Sequence, residues 1–184
     1  MEVEKLRQEY EVEVEFAPFL LDPTVPPQGK PRRPQSRQNG PPSPLEERGA
    51  RLGIKFARGR TLTSYSHIAL EAAEFARDHG LAWQFHKATF KAYFEDLEDI
   101  GKVDVVVRVG ESVGLDGAAL RQALEGGQYR ALVDEGIAWS RGIGVTAIPT
   151  FIFDGRYAMV GAQEYEAFRQ VMARAWHAPR DAGP

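Results

Sequence analysis

Residues 140–163, "SRGIGVTAIPTFIFDGRYAMVGAQ", are where the period of this chain changes. Upstream, apolar residues recur at helical spacing. Here "TFIF" and "RYAMV" flank Asp154-Gly155, a pair suited to the two positive φ angles of a type I′ turn. The segment predicts an antiparallel hairpin over residues 150–160. Pro149 stands one residue before the first strand, where it cannot donate to a ladder and biases Ile148 toward an extended backbone. A plain strand-start proline and a cis Ile148-Pro149 bond both fit, although only about 5% of X-Pro bonds are cis. "GAQ" then opens a last helix with Tyr165, Phe168, Met172 and Ala175 as its buried stripe. Glu164 and Glu166 at its start, with Arg174 and His177 near its end, suit the helix dipole.

Working outward, the preceding block reads as helices. "SYSHIALEAAEFARDHG" buries Ile68, Ala72, Phe75 and Ala76, has Thr63 or Ser64 as its capping candidate, and stops at Gly80. In "LAWQFHKATFKAYFEDL", Trp83, Phe90, Tyr93 and Phe94 predict an aromatic ridge packed on that first helix. "KVDVVVRVGESVGLD" has strand propensity, yet Val103, Val106, Val107, Gly110 and Val113 make a helical stripe, and a helix ending at Gly114 is expected. Asp116 is placed to cap a short helix through Leu124, which Gly126 and Gly127 stop. A longer helix follows, with Leu132, Val133, Gly136, Ile137 and Ser140 on its inner face and Gly136 marking a close approach.

At the start, Val3, Leu6 and Tyr10 share a helical face. In the next residues Val12, Val14 and Phe16 alternate with Glu11, Glu13 and Glu15, the pattern of a half-buried strand. Residues 23–44 hold eight of the twelve prolines, together with Arg32, Arg33 and Arg37. They read as an extended, mostly solvated loop, more readily a linker than a recognition motif.

The 184 residues, 43% hydrophobic and 27% charged, fit one soluble globular domain. A net charge of −3 with scattered basic residues gives no nucleic-acid surface. No stretch approaches the length of a membrane span, and the acidic N-terminus lacks a signal-like apolar core, so a cytoplasmic location is expected. The absence of cysteine excludes disulfides, thiolate metal ligands and thiol chemistry within this chain. His79 and His86 lack metal-ligand spacing, and no metal or cofactor is expected. Ser64, Ser66, His67 and Glu71 are too close in sequence, without a strained nucleophile turn, to form a hydrolase set.

"GIGVTAIPTFIFDGRYAMVGAQ" resembles the C-terminal signature of the DsbA-like thioredoxin-fold family, especially its cytoplasmic FrnE-type branch. There Gly-Val, a cis-proline, a hairpin and Gly-Ala-Gln follow in this order. "VEFAPFLLDP", "TSYSHIALEAAEFARDHG", "FKAYFEDLEDIG" and "GLD" resemble the family's second strand, first inserted helix, following helix and turn. The likeness runs from Val12 to about Trp176. It implies an α/β thioredoxin-like fold in which 1–22 and 142–176 form the thioredoxin part. Residues 23–62 would be a Pro-rich loop and lead-in, 63–141 a helical insertion and 177–184 a disordered tail.

The resemblance also implies a thiol-disulfide oxidoreductase acting on protein or peptide substrates. Ala147, Ile148 and Pro149, with Thr146 beside them, would bind substrate backbone. His67 would be an accessory residue, more readily a capping or packing group than a base. Gln163 would cap or orient the last helix. The family's first strand and its Cys-x-x-Cys motif are not in this sequence. Two explanations are expected to compete: a start assigned within the first helix, or a relative that has lost redox chemistry. Other readings are a 2-hydroxychromene-2-carboxylate isomerase or kappa-type glutathione transferase relative, which would use glutathione, and a non-catalytic peptide-binding or chaperone-like module.

Overall fold

The structure is a computed structural model that describes residues 2–34 and 39–175. The expected tail at 177–184, His177, Trp176 and Arg37 lie outside the described residues. Two compact units share the chain: residues 1–21 with 138–184, and residues 22–137.

In the first unit, α1 (Glu2–Glu9) turns Leu6 inward, Tyr10 follows it, and Val3 is half-buried. β3 (Thr150–Phe153) and β4 (Tyr157–Val160) form the hairpin, paired Thr150↔Val160 through Phe153↔Tyr157. The turn holds Asp154 at φ 50 and Gly155 at φ 65, the positive pair a type I′ turn requires, with Arg156 N–H donating to the Phe153 carbonyl at 2.9 Å. Because Phe153 faces Tyr157, Arg156 joins the loop, which spans three residues rather than two.

Phe168 and Met172 of α8 (Tyr165–Arg174) are buried against Leu6, Tyr10 and Met159, with Val12, Phe151 and Phe153 around them. Each such buried side chain contributes about 1.5–3 kcal/mol of transfer free energy. The Tyr165 hydroxyl donates to Glu9, and Arg169 pairs with Glu9 at 3.2 Å, so α8 is also tied to α1 at its polar margin. Gln163 donates from Nε2 to the Val160 carbonyl at 2.8 Å and closes the hairpin; Glu164, not Gln163, is the N-cap residue of α8.

Residues 12–16 realise the predicted alternation in their exposure, with the valines and Phe16 half-buried and the glutamates at 11 and 15 exposed. They are nevertheless not a strand, since no ladder partner stands beside them among the described residues. Alternation sets which side chains turn inward, whereas a strand needs a second backbone to bond. A little further on, Ser140 donates to the Pro18 carbonyl at 3.0 Å and anchors this stretch.

The second unit departs from expectation at its start. The Pro-rich stretch is not wholly solvated: Val25 is buried, and β1 (Lys30–Pro31) pairs antiparallel with β2 (Leu62–Thr63). α2 (Pro44–Arg51) was not anticipated. Its capping box is complete, with Ser43 accepting from Glu46 N–H and the Glu46 carboxylate accepting from Ser43 N–H, and Pro44 fits the first turn.

Since Thr63 belongs to β2, α3 starts later than expected (His67–Asp78), behind Ser66, which makes no side-chain cap bond. α4 (Ala82–Phe94) buries Phe85, Thr89 and Ala92. The expected ridge is split: Tyr93 packs half-buried against the core and Trp83 is half-buried, whereas Phe90 and Phe94 are exposed. Phe85 and Ala92 of α4 share the core with the alanines of α3 (Ala69, Ala72, Ala73, Ala76).

α5 (Val103–Ser112) is helical and buries Val106, Val107, Val109 and Gly110. Asp116 accepts from Ala118 and Ala119 N–H at the start of α6 (Gly117–Glu125). In α7 (Arg130–Gly142), Val133, Ile137 and Ser140 are buried, Gly136 is half-buried and Leu132 is exposed, so Leu132 lies off the inner face. No helix among the described residues is long and apolar enough to cross a membrane.

Candidate functional site

The loop entering β3 belongs to the first unit. The Ile148–Pro149 peptide bond is cis. Around it, the Ala147 carbonyl accepts from Thr150 Oγ1 at 2.7 Å, and the Pro149 carbonyl accepts from Gly161 N–H at 2.8 Å. The second bond sets the phase of the ladder. In an antiparallel pair, bonded and non-bonded positions alternate. Pro149 opposite Gly161 is followed by Phe151 opposite Met159, so the main-chain groups of Thr150 and Ile152 point to the other edge of β3. β4 is the only strand paired with β3 among the described residues.

Ile148 lies just before this strand, on the far side of the cis bond. Neither its N–H nor its C=O has a hydrogen-bond partner among the described residues. Its side chain is 52% exposed, and Ile152, Trp139, Ile143 and Val160 are also exposed apolar residues of this unit. Ala147 is half-buried, while Thr146 and Pro149 are exposed. The three predicted site residues thus form one accessible edge.

His67 belongs to the other unit. It is buried at the first position of α3. Its Nδ1 lies 3.0 Å from Glu71 Oε1, its Nε2 lies 2.9 Å from Asp134 Oδ1, and the Tyr65 ring stacks beside it. Arg130 Nε approaches the same Glu71 oxygen at 3.8 Å, while Glu71 Oε2 has no hydrogen-bond partner. This is a packed ion network, not a helix cap. Asp134 and Arg130 were missed, since nothing in the helical stripe of α7 marks them as partners of His67 and Glu71, far earlier in the chain.

His79 and His86 are placed by packing. His79 Nδ1 lies 2.8 Å from the Phe75 carbonyl and the ring stacks on Phe75, whereas burial pushes His86 down to about 4. Among the described residues, no three His, Cys, Asp or Glu side chains converge as metal ligands.

Comparison with known proteins decides the family. A model of the DSBA-like thioredoxin domain matches residues 1–173. The chain belongs to the DSBA-like thioredoxin domain family. An uncharacterized protein, YwbO, of Bacillus subtilis (strain 168) is 28% identical over 165 residues, covering 89% of this chain and 82% of that protein. A crystal structure of a probable DsbA oxidoreductase, SCO1869, from Streptomyces coelicolor is similar with a TM-score of 0.67 at 22% identity. That match covers 76% of this chain and spans 59% of the other. At that identity it establishes the thioredoxin-like fold of the DsbA type, helices with small sheets. Membership of this DsbA-like family fits a protein that engages protein substrates, and the family's Cys-x-x-Cys has no counterpart in a sequence without cysteine.

Proposed function

We propose that this chain is the substrate-binding part of a DsbA-like thiol-disulfide oxidoreductase, and that the Ala147–Ile148–Pro149 loop pairs with the backbone of an extended protein segment. The observation that carries this reading is Ile148, whose N–H and C=O have no partner among the described residues and which directly precedes the strand whose outer edge is open. An extended peptide laid along this edge gains main-chain hydrogen bonds independent of its sequence. The exposed Ile148 and Ile152 side chains add apolar contact.

This chain binds without exchanging thiols. In a family member, a thiolate attacks a substrate disulfide, a mixed disulfide forms, and a second cysteine resolves it. None of those sulfurs is supplied here. A cytoplasmic setting, which keeps thiols reduced, suits reduction or isomerisation better than net disulfide formation. The test is a titration of a fluorescein-labelled, carboxymethylated unfolded polypeptide, followed by anisotropy with and without iodoacetamide. Saturable binding that iodoacetamide leaves unchanged is expected; no binding overturns the reading.

Residues 12–16 and the outer edge of β3 both lack a ladder partner among the described residues, and this favours one further reading. The family's first strand, followed by a helix that opens with Cys-x-x-Cys, would fill such edges. Intact mass with thiol titration of protein from its own organism separates the two. A mass above 20.5 kDa with two thiols supports the redox reading, and a matching mass with none removes it.

A further inference from the structure

The β3–β4 hairpin has one face covered and the other bare. Phe151 and Phe153 stand on the covered face, their ring centroids 4.9 and 6.3 Å from that of Phe168, and Met159, opposite Phe151, is buried. The bare face carries Thr150 and Ile152 with their cross-strand neighbours Val160 and Ala158. Ile152 and Val160 are 40% and 53% exposed, and none of the four residues is charged.

The outer edge of β3 lacks the guards that edge strands ordinarily carry. Charges, prolines and bulges usually keep such an edge from pairing with another chain. From Ile143 to Phe153 there is no charged residue. Pro149 lies within that run, but its carbonyl accepts from Gly161 N–H, so its missing N–H faces β4 and leaves the outer edge unguarded. The N–H and C=O of Thr150 and Ile152 point outward and have no partner among the described residues.

This edge is complementary to itself. With two copies antiparallel and Thr150 of one opposite Ile152 of the other, a two-fold axis passes between the two Phe151 residues. Four main-chain hydrogen bonds then close, none of which a single copy can make. Pro149 falls opposite Phe153 at a non-bonded position, where no N–H is called for. The nearest charged residues, the two copies of Asp154, lie at opposite ends of the pair, roughly 20 Å apart along the strands and well beyond the screening length of about 8 Å. Self-association therefore meets no repulsion at this edge.

We propose that two copies of this chain pair through the outer edges of β3 into one four-stranded sheet, and that this dimer closes the edge to an extended polypeptide. The self-pairing stands on the open, uncharged edge, whereas the closing of the site rests on the peptide-binding reading. A second copy and a polypeptide use the same main-chain groups, so the polypeptide binds the monomer and dissociates the dimer by mass action.

Sedimentation equilibrium of the full chain, without polypeptide, is expected to show a reversible monomer–dimer equilibrium. Ile152→Pro removes an outward N–H and leaves the β3–β4 ladder its bonds, while Ile152→Lys sets a charge on the edge. Each weakens the dimer about tenfold or more. Phe90→Ser, at a residue 53% exposed in the other unit, leaves the dimer unchanged. If the Ile152 variants do not fold, hydrogen exchange of the wild type carries the test, and the Thr150 and Ile152 amides should exchange more slowly as protein concentration rises. Excess carboxymethylated unfolded polypeptide should return the wild type to monomer. A wild type that stays monomeric at every concentration, or a dimer undiminished in the Ile152 variants, overturns the self-pairing. A dimer that binds the polypeptide as tightly as the monomer does overturns the closing of the site. The anisotropy titration at protein concentrations where the chain is monomeric reports separately on the peptide-binding reading; absence of binding there removes that reading and the closing with it, and leaves the dimer standing.

Discussion

One imidazole ties α3 to α7: His67 reaches Glu71 with one ring nitrogen, at 3.0 Å, and Asp134 with the other, at 2.9 Å. Their exposures differ widely. The Glu71 side chain is 1% accessible and that of Asp134 is 63%.

The two contacts therefore have unequal weight. His67→Ala leaves Glu71 buried with only Arg130 at 3.8 Å, and breaking a buried pair in this way costs about 3 kcal/mol. Asp134→Asn removes a water-screened contact and costs about 1 kcal/mol or less. Urea midpoints at pH 7 measure both, and equal losses would contradict the assignment.

The box at the start of α2 makes a pH prediction. The Arg58 guanidinium and the Ser43 backbone and side chain hold Glu46 down to about 2. A depressed carboxylate stabilises the folded state above its ordinary value near 4.5, and this contribution is lost as pH falls toward 2. Hydrogen exchange of the α2 amides between pH 5 and pH 2.5 should show protection falling progressively once the pH drops below about 4.5. Arg58→Gln should move that loss toward 4.5. Ser43→Ala should cost about 1 kcal/mol of local stability near neutral pH.

His86 predicts a second window. Burial disfavours its charged form and pushes it down to about 4, so the unfolded chain takes up a proton near 6.5 while the folded chain does not. Stability on this account is level above pH 6.5 and falls as pH drops from 6.5 toward 4. Denaturation midpoints at pH 7.5, 6.5 and 5.5 should show the decline begin before carboxylates titrate. His86→Gln should flatten it.

Two glycines give a packing contrast. A Cβ on Gly110 of α5 would come 2.6 Å from Leu120 Cδ2, in the interface with α6, whereas one on Gly117 would meet only the far end of Glu111. Gly110→Ala should destabilise by about 1–3 kcal/mol through overpacking. Gly117→Ala should be neutral or slightly stabilising, since Glu111 can swing away. Thermal melts of the two variants separate them.

How far the sequence carried the reading depended on whether a feature was local. Asp116 as a cap, the Asp154-Gly155 turn and the Phe168–Met172 stripe needed only neighbours along the chain, and each is where the pattern put it. The Ser43–Glu46 capping box was equally legible, but the prolines around it drew the reading toward a loop. Residues 12–16 show the limit of alternation, which chose the inward side chains without supplying a second strand. On α4 the aromatics that looked like core divide: Tyr93 packs against it, Phe90 and Phe94 are exposed, and the buried face runs through Phe85, Thr89 and Ala92. The β1–β2 pairing and the His67–Asp134 contact join residues far apart in the chain, and no local pattern announces them.

The most direct measurement titrates the fluorescein-labelled, carboxymethylated unfolded polypeptide against wild type, Ile148→Pro and Ile148→Ala. Proline at 148 removes the N–H offered to substrate, whereas alanine keeps the backbone and removes only apolar contact. The account predicts that Ile148→Pro weakens binding about tenfold or more, the worth of one lost hydrogen bond with an unmet partner, while Ile148→Ala stays within about threefold. Equal affinity in the wild type and Ile148→Pro would contradict backbone pairing at this loop.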